Sequence, residues 1–178
     1  MINPQESVDH SKKNEYSTIE QTMEKLSGGT RRLAAQLTTS ASFDSLWNVL
    51  TDYDRLNLYI PNLLSSKKIY QKNNNVHLKQ VGAQDFLGMK FSAEVTIDLF
   101  EDKELGLLKF HLIKGDFRKF EGSWKIQNIK NTSKNSLIYD LTVQGCQWMP
   151  IKMIEKRLKK DLSENLRAVD RQAKASIN

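Results

Sequence analysis

Residues 150–173 read PIKMIEKRLKKDLSENLRAVDRQA, a stretch with nothing inside it that breaks a helix. Apolar residues fall at Ile151, Ile154, Leu158, Leu162, Leu166, Val169 and Ala173. The steps are three or four residues, so the spacing predicts one stripe of an α-helix. Lys152, Glu155, Lys156, Lys159, Lys160, Glu164, Arg167 and Arg171 fill the remaining surface. Pro150 suits the first helical turn, where a missing N–H is harmless. At 1.5 Å per residue the helix would be about 36 Å long, enough to cross a small domain. A long amphipathic helix following many strands implies either a curved sheet closing around it or a surface helix on an ordinary α+β domain.

The chain before this helix alternates with period two. Leu33, Ala35, Leu37 and Thr39 share one face of a first strand, residues 31–39. Ser42 is a good N-cap for a helix carrying Phe43, Leu46, Trp47 and Leu50, and Asp52 can cap a second short turn through Leu58. Pro61 disfavours helix at Ile60 and ends this bent pair. Strands are then expected at residues 64–71 and 76–83, separated by a Lys72-Asn73-Asn74-Asn75 turn. Gly82 and Gly88 bracket a bulge or loop. The cleanest alternation is Met89, Phe91, Ala93, Val95, Ile97 and Leu99 against Lys90, Ser92, Glu94, Thr96 and Asp98, a long half-buried strand. Strands around Leu108–Phe110–Leu112, Phe120–Trp124–Ile126 and Leu137–Tyr139–Leu141–Val143 follow. The order is strand, helical pair, about six strands and a long helix, with short turns that imply an antiparallel meander. Residues 1–29 are polar and end in Gly28-Gly29; they read as a flexible leader, with a short helix around residues 19–26 as an option. The domain is then expected over residues 30–178.

The chain has 178 residues, 39% hydrophobic and 27% charged, which suits one domain with a real core. A net charge of +6 is compatible with an anionic membrane surface or nucleic acid and diagnostic of neither. Cys146 is the single cysteine, which excludes an internal disulfide and a cysteine zinc cluster. No apolar run approaches the ~20 residues that span a bilayer, and the N-terminus lacks a secretory apolar core. A cytoplasmic protein is expected, with peripheral contact to an anionic membrane as a secondary option.

The segment Ser40-Ala41-Ser42-Phe43-Asp44-Ser45-Leu46-Trp47-Asn48-Val49-Leu50-Thr51-Asp52-Tyr53-Asp54-Arg55-Leu56 resembles the opening of the START-like superfamily. More narrowly it is similar to the polyketide cyclase/dehydrase and coenzyme Q-binding group. Tyr59-Ile60-Pro61-Asn62, Phe120-Glu121-Gly122-Ser123-Trp124 and the 150–173 helix sit where that family places its equivalents. The resemblance covers residues 30–173. It implies the helix-grip fold, an α+β architecture in which a curved antiparallel sheet of about seven strands wraps a long C-terminal helix, with a cavity between. No catalytic residue carries over, because the family's motif residues are structural.

Four candidate sites arise. The first is an apolar cavity lined by Phe91, Val95, Phe110, Leu112, Trp124, Tyr139, Leu141, Met153, Ile154 and Leu158; spacing alone favours a filled core, and the resemblance favours the cavity. The second is Gln144, Cys146, Gln147, Trp148, Met149 and Pro150 at the helix entrance, where Trp148 and Met149 either line a cavity mouth or staple the helix start. The third is a basic patch of Lys152, Lys156, Arg157, Lys159 and Lys160 with Lys114, Arg118 and Lys119, read either as a headgroup surface or as a solvated helix face. The fourth is acid–base or metal chemistry. His10, His77 and His111 are scattered, and no metal-ligand or phosphate-loop spacing appears. Asp85, Glu94, Asp116 and Asp140 are generic candidate bases. The expectation is a hydrophobic small-molecule binder (lipid, isoprenoid quinone or polyketide-like) with no cofactor, metal or nucleic acid. The alternative is a cyclase, aromatase or dehydratase acting on a cavity-bound polyketide.

Overall fold

The computed structural model describes residues 18–86, 88–147, 149 and 151–175. Its order is β1 (Ile19–Lys25), a 3-10 turn (Ser27–Gly29), β2 (Arg31–Thr39), α1 (Phe43–Thr51) and a 3-10 segment (Tyr53–Leu58). Six strands follow: β3 (Leu63–Lys72), β4 (Asn75–Phe86), β5 (Met89–Asp102), β6 (Leu107–Gly115), β7 (Phe117–Asn128) and β8 (Asn135–Gly145). The last element is α2 (Ile151–Ala175). The strands form one sheet in the order β1-β2-β8-β7-β6-β5-β4-β3, antiparallel throughout. β3 to β8 are the expected meander; β2 then closes on β8 rather than on its sequence neighbour β3.

Period-two alternation sets which face is inside. Leu33, Ala35 and Leu37 of β2 and Leu137, Tyr139, Leu141 and Val143 of β8 are buried. The α2 stripe meets them with Leu162, Leu166, Val169 and Ala173, none more than 1% exposed. Each such leucine contributes about 1.5–3 kcal/mol by leaving water, which is why α2 sits in the sheet's concave face and not on its outside. Helix α1 packs on α2. Its start is capped as expected, with Ser45 N–H donating to Ser42 Oγ at 3.1 Å.

Several expectations are corrected. The stretch around residues 19–26 is strand β1, not helix or free leader, and it makes the sheet eight-stranded. Ile19 and Met23 pack at the edge of the core, and β1 is held by its whole-length pairing with β2. Gly28 and Gly29, at φ 64° and 77°, make the reversal between the two strands. The leader up to Ser17 lies outside the described residues. The expected bulge or loop between Gly82 and Gly88 is a continuation of β4 as far as Phe86, which pairs with Met89 of β5; Leu87 lies outside the described residues. The second helical piece is 3-10, and Asp52 caps it without its side chain; that carboxylate lies 3.5 Å from Arg55.

Polar ties fix the helix in the sheet. Arg31 Nε donates to Glu155 Oε1 at 2.6 Å, with Lys25 Nζ at 3.7 Å. Gln21 Nε2 donates to the Lys159 carbonyl at 2.9 Å, and Ser163 Oγ to Gln21 Oε1 at 3.1 Å. Deeper in, the Thr39 hydroxyl donates to Asp170, whose other oxygen accepts from Lys174 at 2.9 Å. The Arg31 hydrogen bond, with the charges of Lys25, Arg31 and Lys159, holds the Glu155 carboxyl below its ordinary value of 4.5. A carboxyl lowered by folding stabilises the fold above its unfolded value and ceases to do so as pH falls through the folded one. Glu155→Gln should therefore melt lower than wild type at neutral pH, and the gap should close below about pH 4.5. Thermal melts of both proteins across pH check this; a gap independent of pH would show that the charge is not involved.

Candidate functional site

Between α2 and the concave sheet face lies a cavity of about 290 Å³. Alternation along β5 places Phe91, Ala93, Val95, Ile97 and Leu99 in its wall. Leu108 and Phe110 of β6, Phe117, Phe120 and Trp124 of β7, and Tyr139 and Leu141 of β8 continue that wall. Ile154, Leu158, Leu162 and Val169 close it from α2, while Leu50, Tyr53, Leu56 and Ile60 close the end beside α1.

The β6–β8 wall is aromatic because register puts the rings together. Trp124 pairs with Tyr139 across β7 and β8, and their rings stack at 4.0 Å and 10°. Phe110 lies 5.6 Å from Phe120 and 6.4 Å from Tyr139, and Phe117 lies 5.4 Å from Phe120. Burial, and secondarily the charge of Asp161, push the Tyr139 phenol well above its ordinary range, so it stays protonated. The phenols near α1 are tied away: Tyr53 donates to Glu101 at 2.5 Å and Tyr59 to the Val49 carbonyl at 2.5 Å.

Polar groups are few and concentrated on one side. Arg157 and Asp161 are the charged members of the described lining, with Arg157 Nε 3.5 Å from Asp161 Oδ1. Asn62 Nδ2 donates to the same Asp161 oxygen at 3.3 Å. Asn165 follows one turn on. Gln80, on the opposite wall, donates to Ser66 Oγ at 3.1 Å. Asn62, at φ 63°, and Ser92 are the exposed members of the described lining and mark its rim.

Of the residues nominated from sequence, Phe91, Val95, Phe110, Trp124, Tyr139, Leu141, Met149, Ile154 and Leu158 line this cavity. Leu112 does not. Pairing of β6 with β7 ends at His111–Glu121, and Leu112, beyond that point, is half-buried against the core's flank. Trp148 and Pro150, and the side chain of Met153, lie outside the described residues. At the helix entrance, Met149 is buried and its N–H donates to the Cys146 carbonyl at 3.0 Å. Gln144 Nε2 reaches the Gly28 carbonyl at 2.6 Å.

The basic patch divides. Lys152, Lys156, Lys159 and Lys160 are exposed, but Arg157 turns to the cavity, because it flanks the Ile154–Leu158 stripe and Asp161 is one turn away. The generic bases are engaged elsewhere. Glu94 pairs with Lys79 at 3.0 Å, Asp116 accepts the Glu94 N–H at 2.7 Å, and Asp140 pairs with Arg32 at 2.8 Å. The side chain of Asp85 is outside the described part, as is His10. His77 and His111 flank Asp98 at 3.5 and 3.9 Å on the sheet's outer face. Among the described residues no group of three or more His, Cys, Asp or Glu side chains is arranged to hold a metal ion. Sequence reading missed Asp161 and Asn165. Their signal was the i, i+4, i+8 ladder with Arg157, beside an apolar stripe.

A family model described as polyketide cyclase / dehydrase and lipid transport matches residues 39–170. The chain belongs to that family. No curated protein sequence shows a significant match to it. Solved structures of family-like architecture are similar at low identity. A STAR-related lipid transfer protein from Xanthomonas axonopodis superposes with TM-score 0.76 and 11% identity, covering 88% of this chain and 93% of its own. The Zhui aromatase/cyclase from a Streptomyces strain gives TM-score 0.72 and 13% identity over 84% and 96% of the two chains. A protein from Thermus thermophilus gives 0.71 and 17% over 83% and 99%. At these identities the likeness establishes the helix-grip fold. The family covers both lipid transport and polyketide cyclisation. No helix among the described residues is long and apolar enough to cross a membrane.

Proposed function

We propose that the protein binds and carries a hydrophobic small molecule, a lipid, isoprenoid quinone or polyketide-like aromatic, in the cavity between α2 and the sheet. The observation that carries this reading is the continuous apolar wall of β5 to β8, with the Trp124–Tyr139 stack at its centre. Binding comes from removing apolar ligand surface from water, at about 25 cal/mol per Å². A volume of about 290 Å³ is at the small end for ligand sites, so a compact ring system fits wholly and a long chain protrudes at the rim. Loading requires the Asn62 turn to part from Asp161. Leu58 and Leu64, both exposed beside that turn, and the exposed lysines of α2 suit transfer at an anionic membrane surface.

A second reading, a cyclase or aromatase, is favoured by one observation: a carboxylate and a guanidinium face an apolar cavity. Asp161 would take the proton α to a ketone while Arg157 holds the developing enolate oxygen; the enolate carbon would attack a second carbonyl of the same ligand, whose oxygen takes that proton as a hydroxyl and leaves as water with a further α proton. One experiment addresses both. Wild type and Asp161→Asn are purified from the protein's own host and compared by native mass spectrometry with denaturing extraction. A carrier yields the same ligand mass from both. A cyclase yields from the variant a precursor heavier by one water. Empty wild-type protein that also fails to take up naphthalene-sized apolar compounds would overturn the cavity reading.

A further inference from the structure

The polar side of the cavity has a definite composition. Arg157, Asp161 and Asn165 lie at successive turns of α2, spanning about 12 Å along its axis. Two atoms in this ladder are buried without a hydrogen-bond partner: Arg157 Nε, a donor, and Asn165 Oδ1, an acceptor. Arg157 Nε lies within ion-pair range of Asp161 at 3.5 Å but lacks hydrogen-bond geometry to it. Unmet buried donors and acceptors are costly, about 1–3 kcal/mol each, so they mark where a bound partner gains most. The charges on the ladder also cancel, since the described lining carries one cation and one anion. A phosphate or other anionic head placed there would gain the guanidinium and meet the carboxylate. It would also leave water for an apolar enclosure, which is expensive for an unpaired charge.

We infer that Arg157, Asp161 and Asn165 form a neutral polar rail that selects an uncharged ligand bearing both a carbonyl-type acceptor and a hydroxyl donor. Arg157 Nε donates to the carbonyl, and Asn165 Oδ1 accepts from the hydroxyl. The rings of the ligand lie against Phe110, Trp124 and Tyr139. This selection rests on the cavity-binding reading above and narrows it to hydroxy-keto compounds, excluding phosphate-headed lipids.

A matched series tests it on the full chain by isothermal titration: 6-acetyl-2-naphthol, 2-acetylnaphthalene, 2-naphthol, naphthalene and 2-naphthyl phosphate. One hydrogen bond gained corresponds to roughly a fivefold change in affinity. The hydroxy-ketone should bind at least about fivefold tighter than either singly substituted compound, with naphthyl phosphate weakest. Asn165→Leu should erase the advantage of the hydroxyl. The paired change Arg157→Met with Asp161→Leu, which leaves no lone charge, should erase that of the carbonyl. The wild-type series stands even if a variant folds poorly. Equal binding of all neutral members, naphthalene included, would overturn the rail and leave the cavity reading intact. Tightest binding of the phosphate would overturn its neutrality. Failure of the whole series to bind would remove the cavity reading and the rail with it.

Discussion

Gly122→Val should destabilise the fold by about 3 kcal/mol or more, a loss of roughly 6–12 °C in melting temperature for a chain of this size. Gly122 sits mid-strand in β7, between Phe110 of β6 and Leu141 of β8. A Cβ there would lie 2.1 Å from the Asp140 carbonyl oxygen and 2.9 Å from Phe110 Cζ. The first of these is backbone and cannot rotate away, so β7 and β8 would have to separate. The second is the ring that packs on Phe120 and Tyr139 in the cavity wall. The glycine thus lets an aromatic ring lie over the strand while Phe120 and Trp124, its neighbours on the same face, point beside that ring. Urea titration followed by circular dichroism measures the loss. A cost under about 1 kcal/mol would mean that Phe110 is not seated on the strand as described.

Much of the architecture was legible because local pattern and burial agree. The β5 alternation is unbroken, and each of its odd-numbered residues from Phe91 to Leu99 faces the cavity. The α2 stripe and the Ser42 cap were equally direct. What escaped reading did so for physical reasons. In β1 only Ile19 and Met23 touch the core, four residues apart, so an edge strand held by backbone pairing carries the period of a helix. Leu112 continues a correct alternation past the point where β6 parts from β7, although it still pairs with Ile97 of β5.

The cavity's polar side was illegible for another reason. Arg157 sits in the run Lys156-Arg157-Leu158-Lys159-Lys160, where the lysines are solvated. Binary patterning assigns a charged helical residue to water, because a packed core has no room for it. A helix facing a cavity has a third environment along the edge of its apolar stripe, and Arg157, Asp161 and Asn165 occupy that edge. The family match narrows the chemistry to two classes without choosing a residue, so the choice falls to this edge.

Ala93→Trp should reduce affinity for 6-acetyl-2-naphthol by at least about a hundredfold while leaving the melting temperature within a few degrees of wild type. Ala93 pairs with Gly82 across β4 and β5, and both line the cavity near its rim. The pair is small on both strands, and a Cβ added at Gly82 would come within ordinary contact of the Asn62 carbonyl. An indole from position 93 points inward, as its neighbours Phe91 and Val95 do, and takes up much of a space of about 290 Å³. It meets side chains and empty volume, not fixed backbone, so filling here need not strain the sheet. The contrast with Gly122 is the point of the experiment: one change breaks the wall, while the other plugs a wall that still stands. Titration of the variant beside its thermal melt separates the two effects. Unchanged affinity in a folded Ala93→Trp protein would place the ligand outside this cavity and end the carrier and cyclase readings together.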